Sequence, residues 1–171
     1  TDFSYNQFNE LIGITYADSS TESFVYDDAG LKRSKTTRAG ESISFSYDEF
    51  GRLTTKTYPD SSTADFSYDE LGRMTAAEND DCSYEFSYND LNQLVEVDFS
   101  IGSESYEIAY SYDDVGNKTS IEYPSFTSYT RVYDDLNRLE QVKEGSDVLA
   151  DYTYNDLNQR TSREYLNTTW T

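Results

Sequence analysis

Short runs of alternating aromatic and polar residues recur along the chain, and each run ends on a Tyr. SFSYD, DFSYD and EFSYN are examples, with a ring two positions before the Tyr. A period of two places both rings on one face of a β-strand and the residues between them on the other. The residue two before the Tyr is Phe3, Phe24, Phe45, Phe66, Phe86, Tyr110 or Tyr152, and Arg131 breaks the series. No stretch has a convincing 3.6-residue period, so the pattern predicts strands and not helices.

The closing tyrosines are Tyr5, Tyr26, Tyr47, Tyr68, Tyr88, Tyr112, Tyr133 and Tyr154. Each opens a heptapeptide, in order YNQFNEL, YDDAGLK, YDEFGRL, YDELGRM, YNDLNQL, YDDVGNK, YDDLNRL and YNDLNQR. The steps between them are 21, 21, 21, 20, 24, 21 and 21 residues. A fixed period near twenty signals a repeat architecture. Residues 1–171 therefore read as a single repeat domain of eight similar units, with no visible linker.

The heptapeptide has the chemistry of a tight turn. The residue after each Tyr is Asp or Asn, and the residue four after it is Gly30, Gly51, Gly72, Gly116 or an Asn. Asp or Asn at the first corner suits a type I turn, and Gly or Asn tolerates the positive φ that follows it. That combination is a β-hairpin tip with a bulge. The residue three after Tyr is mostly apolar (Phe8, Ala29, Phe50, Leu71, Leu91, Val115, Leu136, Leu157). An apolar residue in a turn is expected to tuck beneath the tip or under the next hairpin. Return strands such as RLTTKTY and QLVEVDF follow, several closing on an aromatic eleven residues after the Tyr (Tyr16, Tyr58, Phe99, Tyr123, Tyr165). Second turns such as Tyr58–Pro59–Asp60–Ser61 complete the unit. Two strands per repeat give roughly sixteen strands. An open sheet of that width tends to curl, so an all-β strip of tandem hairpins that curls or spirals is expected, with aromatics as its core.

Composition changes this picture in two ways. Leu, Ile, Val and Phe are scarce, but 17 Tyr and 9 Phe bring aromatics to 16% of the 171 residues. Disordered chains are poor in aromatics, and Tyr buries a large area, so the apolar load has moved from aliphatic chains to rings. The net charge is −20, from 13 basic and 33 acidic residues. That charge excludes nucleic-acid backbones as partners, and no apolar run reaches the roughly twenty residues of a membrane helix.

Candidate chemistry is sparse. There is no His and one cysteine, Cys82, which removes internal disulfides, Cys-based zinc sites and a Cys–His pair. The second residue after Tyr is acidic in seven repeats (Asp28, Glu49, Glu70, Asp90, Asp114, Asp135, Asp156). A carboxylate row of this kind reads as turn chemistry and a solvated rim; neither calcium-loop pattern is present. Catalytic, metal-binding and cofactor-binding residues are not expected. The repeat residues Tyr5, Tyr26, Tyr47, Tyr68, Tyr88, Tyr112, Tyr133, Tyr154, Gly30, Gly51, Gly72 and Gly116 are expected to be structural. Aromatics without a repeat role, Tyr84, Tyr106, Phe126, Tyr129 and Trp170, are the candidates for stacking on sugar rings. Asn117 and Asn167 begin glycosylation sequons.

Tyr-Asp-x-x-Gly-Arg-Leu at this period resembles the YD repeats of the rearrangement-hotspot (Rhs) family, most closely in YDEFGRL (47–53) and YDELGRM (68–74). The resemblance implies a hairpin strip that spirals into a hollow shell, enclosing a toxic polypeptide in bacterial systems and standing at the cell surface in teneurins. The expected function is therefore a non-enzymatic wall module of a secreted or surface-displayed assembly. The expected partners are flanking repeats of a longer chain and an enclosed cargo polypeptide. A carbohydrate-binding or adhesive module is the alternative. Open strand edges add an expectation of edge-to-edge self-association.

Overall fold

The computed structural model describes residues 1–124 and 128–165; Phe126, Asn167 and Trp170 lie outside the described residues. Those residues form sixteen strands and no helix. Contacts divide the chain into two compact units, Thr1–Tyr84 and Glu85–Thr171.

In the first unit the strands are β1 (Asp2–Tyr5), β2 (Leu11–Thr15), β3 (Thr21–Tyr26), β4 (Lys32–Thr36), β5 (Ser42–Tyr47), β6 (Leu53–Thr57), β7 (Thr63–Tyr68) and β8 (Met74–Asn79). Each pairs antiparallel with the next. After β9 (Cys82–Tyr88), the second unit holds β10 (Leu94–Ile101), β11 (Glu104–Tyr112), β12 (Lys118–Glu122), β13 (Tyr129–Tyr133), β14 (Leu139–Glu144), β15 (Asp147–Tyr154) and β16 (Arg160–Tyr165). From β10 onward these also pair antiparallel in chain order.

The register separates two chemically distinct faces. In the first unit one face carries Phe24 opposite Lys35, Phe45 opposite Lys56 and Phe66 opposite Ala77. The other carries Ser23 opposite Thr36, Ser44 opposite Thr57 and Ser46 opposite Thr55. The second unit repeats the division, with Val97 opposite Ile108 and Tyr110 opposite Ile121 on the aromatic side. Arg131 stands opposite Val142 in the position that an aromatic takes elsewhere. The lysines lie along the rings: the Lys35 ammonium is 5.7 Å from the Phe24 ring centre and pairs with Glu22 at 3.1 Å.

Each unit is a single antiparallel layer, and its aromatic face is only half covered. The apolar residues that are buried, among those described, are Phe24 and Ala150. The sequence-based expectation of an aromatic core is corrected accordingly. The repeat tyrosines are half-buried, except Tyr5, which is exposed. A single layer offers each ring only same-face neighbours on adjacent strands, so stability comes from repeat-to-repeat contacts.

Candidate functional site

The heptapeptide tips form the same turn in all eight repeats. The amide of the Asp or Asn after Tyr donates to the carbonyl four residues on, as in Asp27 to Leu31 at 2.9 Å and Asp134 to Arg138 at 3.0 Å. The fourth residue after Tyr donates back, as in Gly30 to the Asp27 carbonyl. That fourth residue has φ of 59° to 93° in every repeat, Gly in four and Asn in four. The Asp or Asn oxygen Oδ1 accepts two further amides, two and four residues ahead, as at Asp48 from Phe50 and Arg52, both at 2.9 Å. One short carboxylate or amide thus satisfies amides that the turn removes from the strand ladder.

A one-residue bulge then interrupts the ladder beyond seven of the tips. It falls at Ile12, Arg33, Thr54 and Thr75 in the first unit and at Thr119, Glu140 and Thr161 in the second. The first residue of the return strand lies outside the ladder with the following hairpin, so its carbonyl needs another donor. Leu11, for example, is not paired with β3, whose register starts at Gly13. The next repeat's tyrosine supplies the donor. The hydroxyls of Tyr26, Tyr47 and Tyr68 donate to the carbonyls of Leu11, Lys32 and Leu53 at 3.0, 2.9 and 3.0 Å. Those of Tyr112, Tyr133 and Tyr154 donate to Leu94, Lys118 and Leu139 at 2.8, 3.0 and 2.8 Å. Burial pushes the Tyr47 and Tyr112 hydroxyls above their usual pKa, keeping them protonated donors.

The residue five after Tyr, the Arg of the YD pattern, carries no structural role in the sequence reading, yet its side chain completes seven of the eight tips. Where the residue after Tyr is Asp, this position is usually a donor. Arg52 Nε binds Asp48 at 2.6 Å, Arg73 binds Asp69 at 2.6 Å, Arg138 binds Asp134 at 2.7 Å, and Asn117 binds Asp113 at 2.9 Å. Where it is Asn, the position is an acceptor: Asn6 donates to Glu10, Asn89 to Gln93 and Asn155 to Gln159. Leu31 departs from the pattern, and Arg33 Nε takes over as Asp27's cation at 2.9 Å. The matched polarity of these two positions was present in the heptapeptides as a correlation. The same side chains reach the following tip: Arg52 Nη1 donates to the Asp69 carbonyl at 3.0 Å and Arg138 Nη1 to Asn158 Oδ1 at 2.8 Å.

The apolar tip residues do not tuck away. Phe8, Phe50 and Leu71 are 70–74% exposed, and Leu91, Val115, Leu136 and Leu157 are 63–78% exposed. The expectation of buried tips is corrected: in the turn, Asp or Asn uses the inward direction for its two amide bonds, and the third residue after Tyr faces outward. Beside each stands an exposed residue two after Tyr, acidic from Asp28 to Asp156. The rim therefore alternates apolar side chains and carboxylates, with about 10 Å between repeats. Among the described residues no three His, Cys, Asp or Glu side chains converge as a metal-ligand set.

Two of the non-repeat aromatics pack on aromatics that close return strands. Tyr106 stacks on Phe99 with centres 6.1 Å apart, and Tyr129 meets Tyr123 edge-on at 6.1 Å. The Asn117 side chain is committed to Asp113 and to Asn137 at 3.2 Å. Four carboxylates gather on the polar face of the second unit, where Asp98 stands opposite Glu107 and Ala109 separates Glu96 from Glu122. Asp98, and then Glu107, push the Glu96 carboxyl above its ordinary pKa.

The Rhs repeat family model matches residues 26–63, and the teneurin YD-shell family model matches residues 61–167. The comparison with curated proteins found no match. Among solved structures, TcdB2-TccC3-TEV superposes with a TM-score of 0.74 at 16% identity, over 95% of this chain and 11% of that one. TcdB2-TccC3-Cdc42 gives 0.66 at 20% identity, over 86% and 9%. The Photorhabdus luminescens Tc holotoxin pore, mutation TccC3-D651A, gives 0.51 at 14% identity, over 98% and 13%. The chain thus spans about a tenth of the length of these structures, and the likeness is one of fold.

Proposed function

The chain belongs to the teneurin YD-shell family, and on that premise we propose that it is a non-catalytic segment of wall in a secreted or surface-displayed shell that encloses a polypeptide cargo. The observation that carries this reading is the tyrosine staple. In at least six repeats the tyrosine that opens every heptapeptide joins a hairpin to the one before it. Conserving a residue type in this way serves continuity of the strip, because each staple defines the spacing and register of the next hairpin. The single-layer sheet with one aromatic and one Ser/Thr-rich face supports the reading further: a wall needs an inner and an outer surface of different chemistry. The half-covered rings of the aromatic face suit contact with an incompletely folded polypeptide, which exposes apolar side chains of its own.

The test is protease protection in the longer chain that carries these repeats. A cargo segment should resist digestion while the repeats are intact. It should become cleavable when several staples are removed together, as in Y47F/Y68F/Y133F/Y154F. A cargo equally exposed in both would overturn the reading, as would electron micrographs showing the repeats as a flat ribbon without a lumen.

A further inference from the structure

The residue five after Tyr varies among the eight tips, from Arg at Arg52, Arg73 and Arg138 to a carboxylate at Glu10 in the first. Between the third and fourth tips, the Arg52 guanidinium lies 4.8 Å from the Tyr68 ring centre and 5.1 Å from that of Phe50. It donates to the Asp69 carbonyl at 3.0 Å and to Asp48 at 2.6 Å. Between the seventh and eighth tips, Arg138 lies 4.6 Å from the Tyr154 ring centre in the same way. The corresponding notch between the first and second tips has the same walls. Phe8 takes the place of Phe50, Tyr26 that of Tyr68, and Asp27, Asp28 and Gly30 those of Asp69, Glu70 and Gly72. Where Arg52 would stand, the chain has Glu10.

That exchange reverses the charge of the seat. The notch has a volume of about 440 Å³, close to the 410 Å³ of the notch at Arg52, and Tyr26 forms part of its lining, whereas at the Arg52 notch the guanidinium lies over Tyr68. Ala29 in place of Leu71 lowers its outer wall. Asp27 is paired with Arg33, but neither Glu10 nor Asp28 has a cationic partner among the described residues. Glu10 accepts from Asn6, a neutral amide. The Asp27 carbonyl accepts the Gly30 amide and keeps a second lone pair, the one Arg52 uses on Asp69.

We propose that this notch binds an arginine side chain of another polypeptide segment, seated between Phe8 and Tyr26 as Arg52 is seated between Phe50 and Tyr68. A guanidinium fits because it stacks flat on a ring while its fork reaches a carbonyl and a carboxylate together. A compact ammonium makes only one of those contacts well. The incoming side chain would supply the positive charge that the first repeat lacks and so extend the tip-to-tip bridge to a second strand of polypeptide.

The test is an NMR titration of the chain with Nα-acetyl-arginine methylamide, against the citrulline and lysine analogues. Saturable shifts are expected at the amides of Phe8, Tyr26 and Gly30 with the arginine probe, with none from citrulline and several-fold weaker ones from lysine. The N6D/E10R variant rebuilds the Asp48–Arg52 arrangement within the first repeat, and it should weaken binding about tenfold or more by filling the seat. E10Q keeps the amide pairing seen at Gln93 and Gln159 while removing the charge, and should weaken binding several-fold with an unchanged circular dichroism spectrum. Non-saturating shifts spread over the whole acidic surface would overturn the proposal. So would equal binding of the lysine probe, or undiminished binding by folded N6D/E10R.

Discussion

The Tyr68 hydroxyl donates to the Leu53 carbonyl at 3.0 Å, joining the fourth hairpin to the third across fifteen residues of chain. Leu53 opens its strand beside the bulge at Thr54, where the ladder to the next hairpin has not yet begun. The phenol therefore replaces a missing ladder bond, and its ring covers the aromatic face at the same time.

Replacing Tyr68 by Phe keeps the ring and removes the donor. The expected loss is about 1 kcal/mol, the usual net value of one hydrogen bond. Urea denaturation should show a lower midpoint with an unchanged slope. An unchanged midpoint would mean that water serves the Leu53 carbonyl equally well.

The matched polarity of the first and fifth residues after Tyr predicts a rescue. R52E places two carboxylates together at the third tip and should destabilise it. D48N/R52E recreates the Asn6–Glu10 pair and should recover part of the loss, read as a favourable coupling in a double-mutant cycle. Additive effects would show that the pairing contributes nothing.

Two second turns force Ser into positive φ, Ser19 at 66° and Ser61 at 72°, where Thr37–Gly40 uses Gly at 81°. S61G should stabilise by roughly 0.5 kcal/mol, since relief of left-handed strain slightly exceeds the entropy that Gly adds to the unfolded chain. G51A should destabilise by about 1 kcal/mol for strain alone, because a Cβ there meets only Leu31 at ordinary contact distance. Thermal melts of the two variants should move in opposite directions.

Acid should act in two senses. The Leu31 amide bonded to Asp27, the Asn117 side-chain amide bonded to Asp113 and the Arg138 amide bonded to Asp134 lower the pKa of these carboxyls. Their contribution is complete above the unfolded value, about 3.9, and is lost as pH falls through the lower folded values. Glu96 is shifted upward, so the folded state takes up its proton first, and its unfavourable contribution at neutral pH is relieved as pH falls through the raised value. E96Q should therefore raise the melting temperature at pH 7, and the gain should shrink as pH falls through the raised value and vanish below the unfolded one, where Glu96 is protonated in both states. A gain that persists at low pH would place its origin elsewhere.

The exposed tips make a further distinction. L136S/L157S should change stability by no more than about 0.5 kcal/mol per site, because neither side chain is covered. The same substitutions should lower binding of an apolar dye. A large loss of stability would show that these residues pack against something in solution.

The repeats, the strands and the positive-φ corners were legible because they depend on local chemistry. Asp or Asn, then Gly or Asn three residues later, dictates a tip whatever lies around it, and alternation assigns Phe24 and Tyr26 to one face. The seat of Leu71 was not legible. Apolar character alone predicts burial, and only the turn's use of Asp69 Oδ1 for the amides of Leu71 and Arg73 sends that side chain outward. The staple was half legible: the sequence marked Tyr68 as repeated, while its partner Leu53 is named by a bulge that shifts register. A bulge depends on how two strands meet, and no single segment encodes it.

The linear order of residues thus determined the unit: its period, its two strands and its turn. Tertiary structure decided how one unit grips the next, through the phenol of Tyr68 and the guanidinium of Arg52. The reason is range. Turn and strand preferences act within a few residues, whereas a carbonyl without a ladder partner exists only once neighbouring hairpins have paired.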